Sequence, residues 1–232
     1  MKKIILLTIL LSTSFSTFAL ELDNSFKAFC YESPKVQKRN GVYYLPNKQE
    51  PFTGQNLCVY KSDGWLPQYH SKGYFLNGLS DGKWTWWYES GQKWTEINYI
   101  NGELYGKSSY WYENGQKKEE TNYKDGKSHG MMTEWHENGQ LYSEGNKKDG
   151  ELDGKVTVWY DTGLKYFEYS SQGESTFREW YENSQIKWMG TLYNNVENGK
   201  WIKWDENGQK ISESIYKDGE CIGGDCSTDL YL

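Results

Sequence analysis

A tryptophan recurs at Trp87, Trp111, Trp135, Trp159, Trp180 and Trp204, at steps of 24, 24, 24, 21 and 24 residues. Gly82, Gly106, Gly130 and Gly154 keep the step of 24. Gly91, Gly115, Gly139, Gly163 and Gly208 keep the tryptophan step, with Ser184 standing in at the sixth unit. A carboxylate column runs Glu96, Glu120, Glu144, Glu168 and Glu213, with Met189 in its gap. A fixed period of this length means one supersecondary unit repeated, each copy burying surface against its neighbours. The odd composition, with 17% aromatic residues, 24 glycines and only four prolines, follows from that repetition.

One unit reads GKWTWWYESGQKWTEINYINGELY, Gly82 to Tyr105. Two runs rich in Trp, Tyr, Thr and Ile are separated by ESGQ and closed by INGE; other copies use ENGQ, KDGK and KDGE. Asn-Gly and Asp-Gly between β-prone runs signal tight hairpins, because a type I′ turn needs positive φ at both central residues. Glycine interrupts every ten or so residues, which disfavours helix. Each unit is therefore a two-stranded hairpin, and about seven of them fill residues 52–219. The first is longer and irregular, and the sixth, ESTFREWYENSQIKWMGTLYNN, has lost the glycines of both repeat columns. The expected fold is all-β: an elongated, single-layer, twisted antiparallel sheet of about seven stacked 24-residue hairpins. At roughly 4.8 Å per strand such a sheet is on the order of 65 Å long.

The unit pattern GKW..WYENGQ...E..Y.DG resembles the MORN repeat in its bacterial variant form, which is common in proteins labelled YwqK-type antitoxins. The likeness covers about Phe52 to Gly219; KSHGMMTEWHENGQLYSEG keeps the family spacing and the sixth unit departs from it. The resemblance implies a protein-interaction or scaffolding module, in some members proposed to bind lipid.

The N-terminus, MKKIILLTILLSTSFSTFALELDNS, has two lysines, an apolar run from Ile4 to Leu11 and a small residue at Ala19. It reads as a signal peptide, residues 1–19, and places the mature chain in the periplasm or outside the cell. The run is short for a membrane span. Residues 20–51 then form an N-terminal cap and 220–232 a C-terminal tail. Cys30, Cys58, Cys221 and Cys226 make an even count, which in an exported chain favours disulfides, Cys30–Cys58 and Cys221–Cys226 being the local pairings. No CxxC knuckle supports a zinc site, and no metal or cofactor is expected. Without Lys2 and Lys3 the net charge is near −8, which argues against nucleic acid and anionic membranes.

Strand residues alternate faces. The uniform tryptophan column is expected on the packed side. The other face, with Trp86, Tyr88, Tyr110, Tyr112, Tyr160 and Tyr181, is expected to be exposed and to form the candidate binding surface, since Tyr and Trp have apolar bodies and polar edges. The glutamate column is a poor acid/base site: equivalent residues lie two strands apart, roughly 10 Å, beyond the spacing of paired glycosidase carboxylates. A regular ladder also gives each glutamate the same surroundings, whereas acid/base pairs need different ones. His70, His129 and His136 fall into no triad or metal spacing. The sequence thus favours a non-enzymatic, exported interaction or scaffold module using an acidic, aromatic face, with another protein or an envelope component as partner. A carbohydrate- or cell-wall-binding module and an antitoxin-like immunity protein are the alternatives.

Overall fold

The computed structural model describes residues 28–29, 36–60, 68–170 and 173–226. Among them there is no helix, and the strands pair antiparallel, mostly with a neighbour in sequence, while Ala28–Phe29 pairs with Gly54–Tyr60. The expected signal peptide and Cys30 lie outside the described residues. Two compact units divide the chain, Asp23–Gln140 with Lys147–Glu151, and Leu152–Leu232 with Leu141–Asn146.

In the first unit, Gly54–Tyr60 pairs with Gln68–Leu76, which pairs with Leu79–Trp87, and that with Lys93–Ile100. Gly106–Trp111, Lys117–Lys124 and Lys127–Trp135 follow in the same order. A separate small hairpin, Gln37–Arg39 with Val42–Tyr44, seats itself on the first strands: Tyr43 N–H donates to Gly78 O at 2.8 Å, and Phe52 N–H to Tyr43 O at 2.8 Å. Its Tyr43 ring lies 4.5 Å from that of Phe75. In the second unit, Glu151–Trp159, Lys165–Ser170, Glu174–Trp180, Ile186–Tyr193, Gly199–Trp204, Lys210–Lys217 and Glu220–Gly224 repeat the arrangement. The last strand is fastened by the Cys221–Cys226 disulfide, the local pairing expected from the sequence.

The two turn types differ. The Asn-Gly and Asp-Gly turns are type I′ as expected: Asn101 and Gly102 have φ of 51° and 83°, Asp125 and Gly126 of 50° and 75°. The Glu-Asn-Gly turns are not. Only the glycine has positive φ, and the loop is one residue longer: Tyr112 N–H donates to Gln116 O and Gly115 N–H to Tyr112 O. This is the three-residue hairpin, a type I turn closed by a left-handed residue. The Asn114 side chain explains it, because its Oδ1 accepts from Gln116 N at 2.8 Å and holds the right-handed turn.

After each such turn the returning strand carries one extra residue. Trp87 opposes Lys93 but Trp86 opposes Thr95, so Trp94 is bulged out of the pairing; Lys118, Tyr166, Lys187 and Ile211 bulge at the equivalent place. The bulge decides which residues share a face. Lys83, Thr85, Trp87, Lys93 and Glu96 lie on one side, here called the outer face. Trp84, Trp86, Thr95 and Ile97 lie on the other, the inner face.

Each unit has its core on the inner face. In the first it gathers Phe75, Trp84, Trp86 and Ile97, with Tyr43, Phe52 and Tyr110 packed against them. In the second it gathers Val156, Val158, Tyr169, Phe177, Trp188, Leu192, Trp201 and Tyr216. Complementary sizes fill these cores. Trp84 lies flat on Gly73 and donates its Nε1–H to Tyr74 O at 3.1 Å; Trp201 lies on Gly190 and donates to Thr191 O at 3.0 Å.

Candidate functional site

The expected exposed surface is largely spent on packing. Trp86 is buried in the core, and Tyr110 packs against it, its hydroxyl pushed well above the usual tyrosine range by burial. Tyr88, Tyr112, Tyr160 and Tyr181 are half-buried, and their hydroxyls are engaged. Tyr88 donates to Trp111 O at 2.8 Å and Tyr112 to Trp135 O at 2.8 Å. Tyr160 donates to Trp180 O at 3.0 Å and Tyr181 to Trp204 O at 2.9 Å. Each tyrosine therefore stitches its hairpin to the backbone of the next. Burial, with Tyr166, Glu179 and Glu182 nearby, pushes Tyr160 up to about 12. The bulged residues support these rings: Lys118 sits over Tyr112 and Lys187 over Tyr181. The placement of the two faces is the reverse of the sequence expectation, because the varied column is varied to make its sizes fit.

The outer face carries the regular array. In four rungs a glutamate is gripped by a lysine from each strand of its hairpin. Glu96 is held by Lys83 at 2.9 Å and Lys93 at 3.0 Å, Glu120 by Lys107 at 2.5 Å and Lys117 at 2.6 Å. Glu168 takes Lys155 and Lys165, both at 3.0 Å, and Arg178 at 3.1 Å. Glu213 takes Lys200 at 2.6 Å and Lys210. Burial pushes the Glu168 carboxyl up, but hydrogen bonds from Lys155 and Lys165 outweigh it and bring it to about 2. The lysine bonds likewise hold Glu213 at about 2. These carboxylates are fixed as anions, the opposite of what a general acid requires.

The same lysines reach the tryptophans of the next unit. Lys93 Nζ lies 4.7 Å from the Trp111 ring centre, Lys117 5.4 Å from that of Trp135, and Lys165 5.3 Å from that of Trp180. Ammonium over an indole face is an attractive cation–π contact. Trp111, Trp135 and Trp180 are thus half-buried under lysines. In the sixth unit the whole clamp is gone: Thr176, Ile186 and Met189 occupy the positions of lysine, lysine and glutamate.

A different group of charges lies on the inner face of the first unit. Glu119 and Glu134 stand directly opposite one another across paired strands, and Glu134 is 6% exposed. Burial, then the Glu134 charge against a hydrogen bond from Thr121, leaves the Glu119 carboxyl raised. Burial lowers Lys147, which these two carboxylates pull back up. Sequence reasoning missed this pair because the two glutamates come from different columns of the repeat. Their opposition is visible only once the bulge has set the register.

The family model of the MORN repeat variant matches the chain at four places, residues 80–101, 104–125, 128–149 and 197–218. Each match runs from the first strand of a hairpin through its Glu-rich turn to the Asn-Gly or Asp-Gly turn. MORN repeats are in general non-enzymatic protein- and membrane-interaction modules. No curated protein matches the chain. Between residues 150 and 196 no repeat is matched, yet the hairpins continue there with the same bulge and the same tyrosine stitch.

Proposed function

We propose that this chain is an exported, non-enzymatic interaction module that holds its partner on the outer face. The observation that carries this reading is the division of labour between the faces. The inner aromatic residues are consumed by two cores and by hydroxyl stitches, whereas the outer face repeats one lysine–glutamate–tryptophan rung in both units. A long repetitive surface with regularly placed charge is the usual working part of a repeat protein. The acidic character expected for the binding face belongs instead to the turns, where Glu89, Glu113 and Glu137 are exposed. The N-terminal leader supports export, and N-terminal sequencing of the secreted product should then begin at Leu20.

Site-specific photo-crosslinking in the native host tests the face. A crosslinking residue at Lys83, Lys107 or Lys200 should capture a discrete envelope or extracellular component. The same residue at the turn positions Lys124 or Lys217 should not. Crosslinks confined to the turns, or none from any position where expression is normal, would remove the outer face as the docking surface.

A further inference from the structure

Glu197 takes a place that leucine holds in two other copies of the repeat. It lies two residues before Gly199, as Leu104 lies before Gly106 and Leu152 before Gly154, and both leucines pack against their cores. Its strand, Val196–Glu197, pairs with the end of Ile186–Tyr193, so that Glu197 opposes Leu192, a buried residue of the second core. Asn198 N–H donates to Thr191 O at 2.9 Å, and Gly219 N–H of the following turn donates to Glu197 O at 3.0 Å. Glu197 is thereby the joint between the last hairpin, Gly199–Trp204 with Lys210–Lys217, and the strand before it. Its side chain is 3% exposed, and one carboxyl oxygen, Oε2, is buried without a hydrogen-bond partner among the described residues.

Among the described residues no cation compensates this carboxyl. Lys187 is bonded to Glu179 at 2.7 Å, and Lys203 sits over the Trp188 ring. The strands packed against Glu197 carry Leu192, Trp201 and Tyr216 on the same face, and the last strand carries the disulfide-bonded Cys221. Lys217, Asp218 and Glu220 at the adjoining turn are exposed. Burial raises the Glu197 carboxyl from its ordinary value, and only the residue's own backbone N–H pulls it back. A lone carboxylate in such a site is costly, whereas the neutral acid costs far less.

We propose that Glu197 is a pH-sensitive latch, which when protonated seats the last hairpin on the core of the second unit and when ionised loosens it. Lys200 and Lys210 grip Glu213 from the two strands of that hairpin, so ionisation also unsettles one rung of the outer face. That consequence rests on the outer face being the docking face; the latch itself does not. Because the folded state favours the proton, the latch is fully set below the ordinary carboxylate value and is released as pH rises through the folded value. The clamped carboxylates Glu168 and Glu213 run the opposite way and lose their contribution only as pH falls below the ordinary value. The two effects therefore occupy different pH ranges.

Hydrogen exchange of the full chain, read by mass spectrometry at about pH 5 and about pH 8 with labelling times scaled to the intrinsic rate, tests the latch. Peptides from Val196 to Lys217 should exchange several-fold faster at the higher pH. In Glu197→Gln, which keeps the shape, and in Glu197→Leu, which restores the residue of the two other copies, that pH dependence should disappear. At the higher pH both variants should exchange more slowly than the wild type. The proposal is overturned by equal wild-type protection at the two pH values, or by the same pH dependence in both variants. Faster exchange of Glu197→Leu than of the wild type at the higher pH also overturns it. The measurement does not involve the partner, so a failed latch leaves the outer-face reading intact, and crosslinks confined to the turns leave the latch intact.

Discussion

Trp84 and Trp201 lie on Gly73 and Gly190 so closely that a methyl group at either glycine would sit 2.0 or 2.1 Å from an indole carbon. Gly73→Ala and Gly190→Ala are each expected to destabilise by about 1–3 kcal/mol, the usual cost of overpacking, read as a shift in urea midpoint. The carboxylates divide by face. Glu168 is held at about 2 against an ordinary value of 4.5, so its stabilisation is complete above the ordinary value and is lost as pH falls from there toward 2. Glu119 is raised, so its contribution runs the other way: it is fully present below the ordinary carboxylate range and is lost as pH rises through its folded value. Glu119→Gln should therefore be more stable than the wild type at neutral pH, and the gap should close on mild acidification. A wild-type advantage at neutral pH would mean that the Glu119 charge is better compensated than its burial opposite Glu134 implies.

At the scale of the hairpin, the positive φ of the last turn residue sets the loop. Ser184 adopts φ of 68° where the other units have glycine, a conformation that costs an L-residue roughly 1 kcal/mol. Ser184→Gly should raise stability by about 0.5–1 kcal/mol in urea unfolding. Asn183 beside it donates to Glu206 O at 2.7 Å and accepts from Gln185 N at 2.9 Å, so Asn183→Ala should cost about 1–2 kcal/mol. Hairpins, repeat length and the type I′ turns were legible because glycine spacing and Asn-Gly chemistry are local. The three-residue turn and its bulge were not, since Asn-Gly is compatible with two turn types and only the asparagine side-chain bond distinguishes them. The face assignment was misread for a related reason. A uniform column suggests a core, but the tryptophans lie on the outer face, where Trp111, Trp135 and Trp180 each meet a lysine of the preceding hairpin. The inner positions vary because bulk at one, Trp84, is answered by its absence at another, Gly73.

In the whole molecule, stability is built from local packing, since each unit has its own core and within the units four hairpins are stitched to the next by a tyrosine hydroxyl, those of Tyr88, Tyr112, Tyr160 and Tyr181. Trp84→Ala should accordingly raise amide exchange first in the strands from Gln68 to Ile100, while amides around Trp201 keep their protection. Uniform loss of protection would show a single cooperative fold instead. The central claim is that the exposed, outer lysine face is where the partner sits. Amine-labelling mass spectrometry, on the chain alone and with the component captured by crosslinking, tests it directly. Lys83, Lys107, Lys155 and Lys200 should label readily in the free chain and become protected in the complex, with Lys124, Lys127 and Lys217 at the turns unchanged. Protection at the turn lysines alone, with the four outer lysines labelling as before, would contradict it.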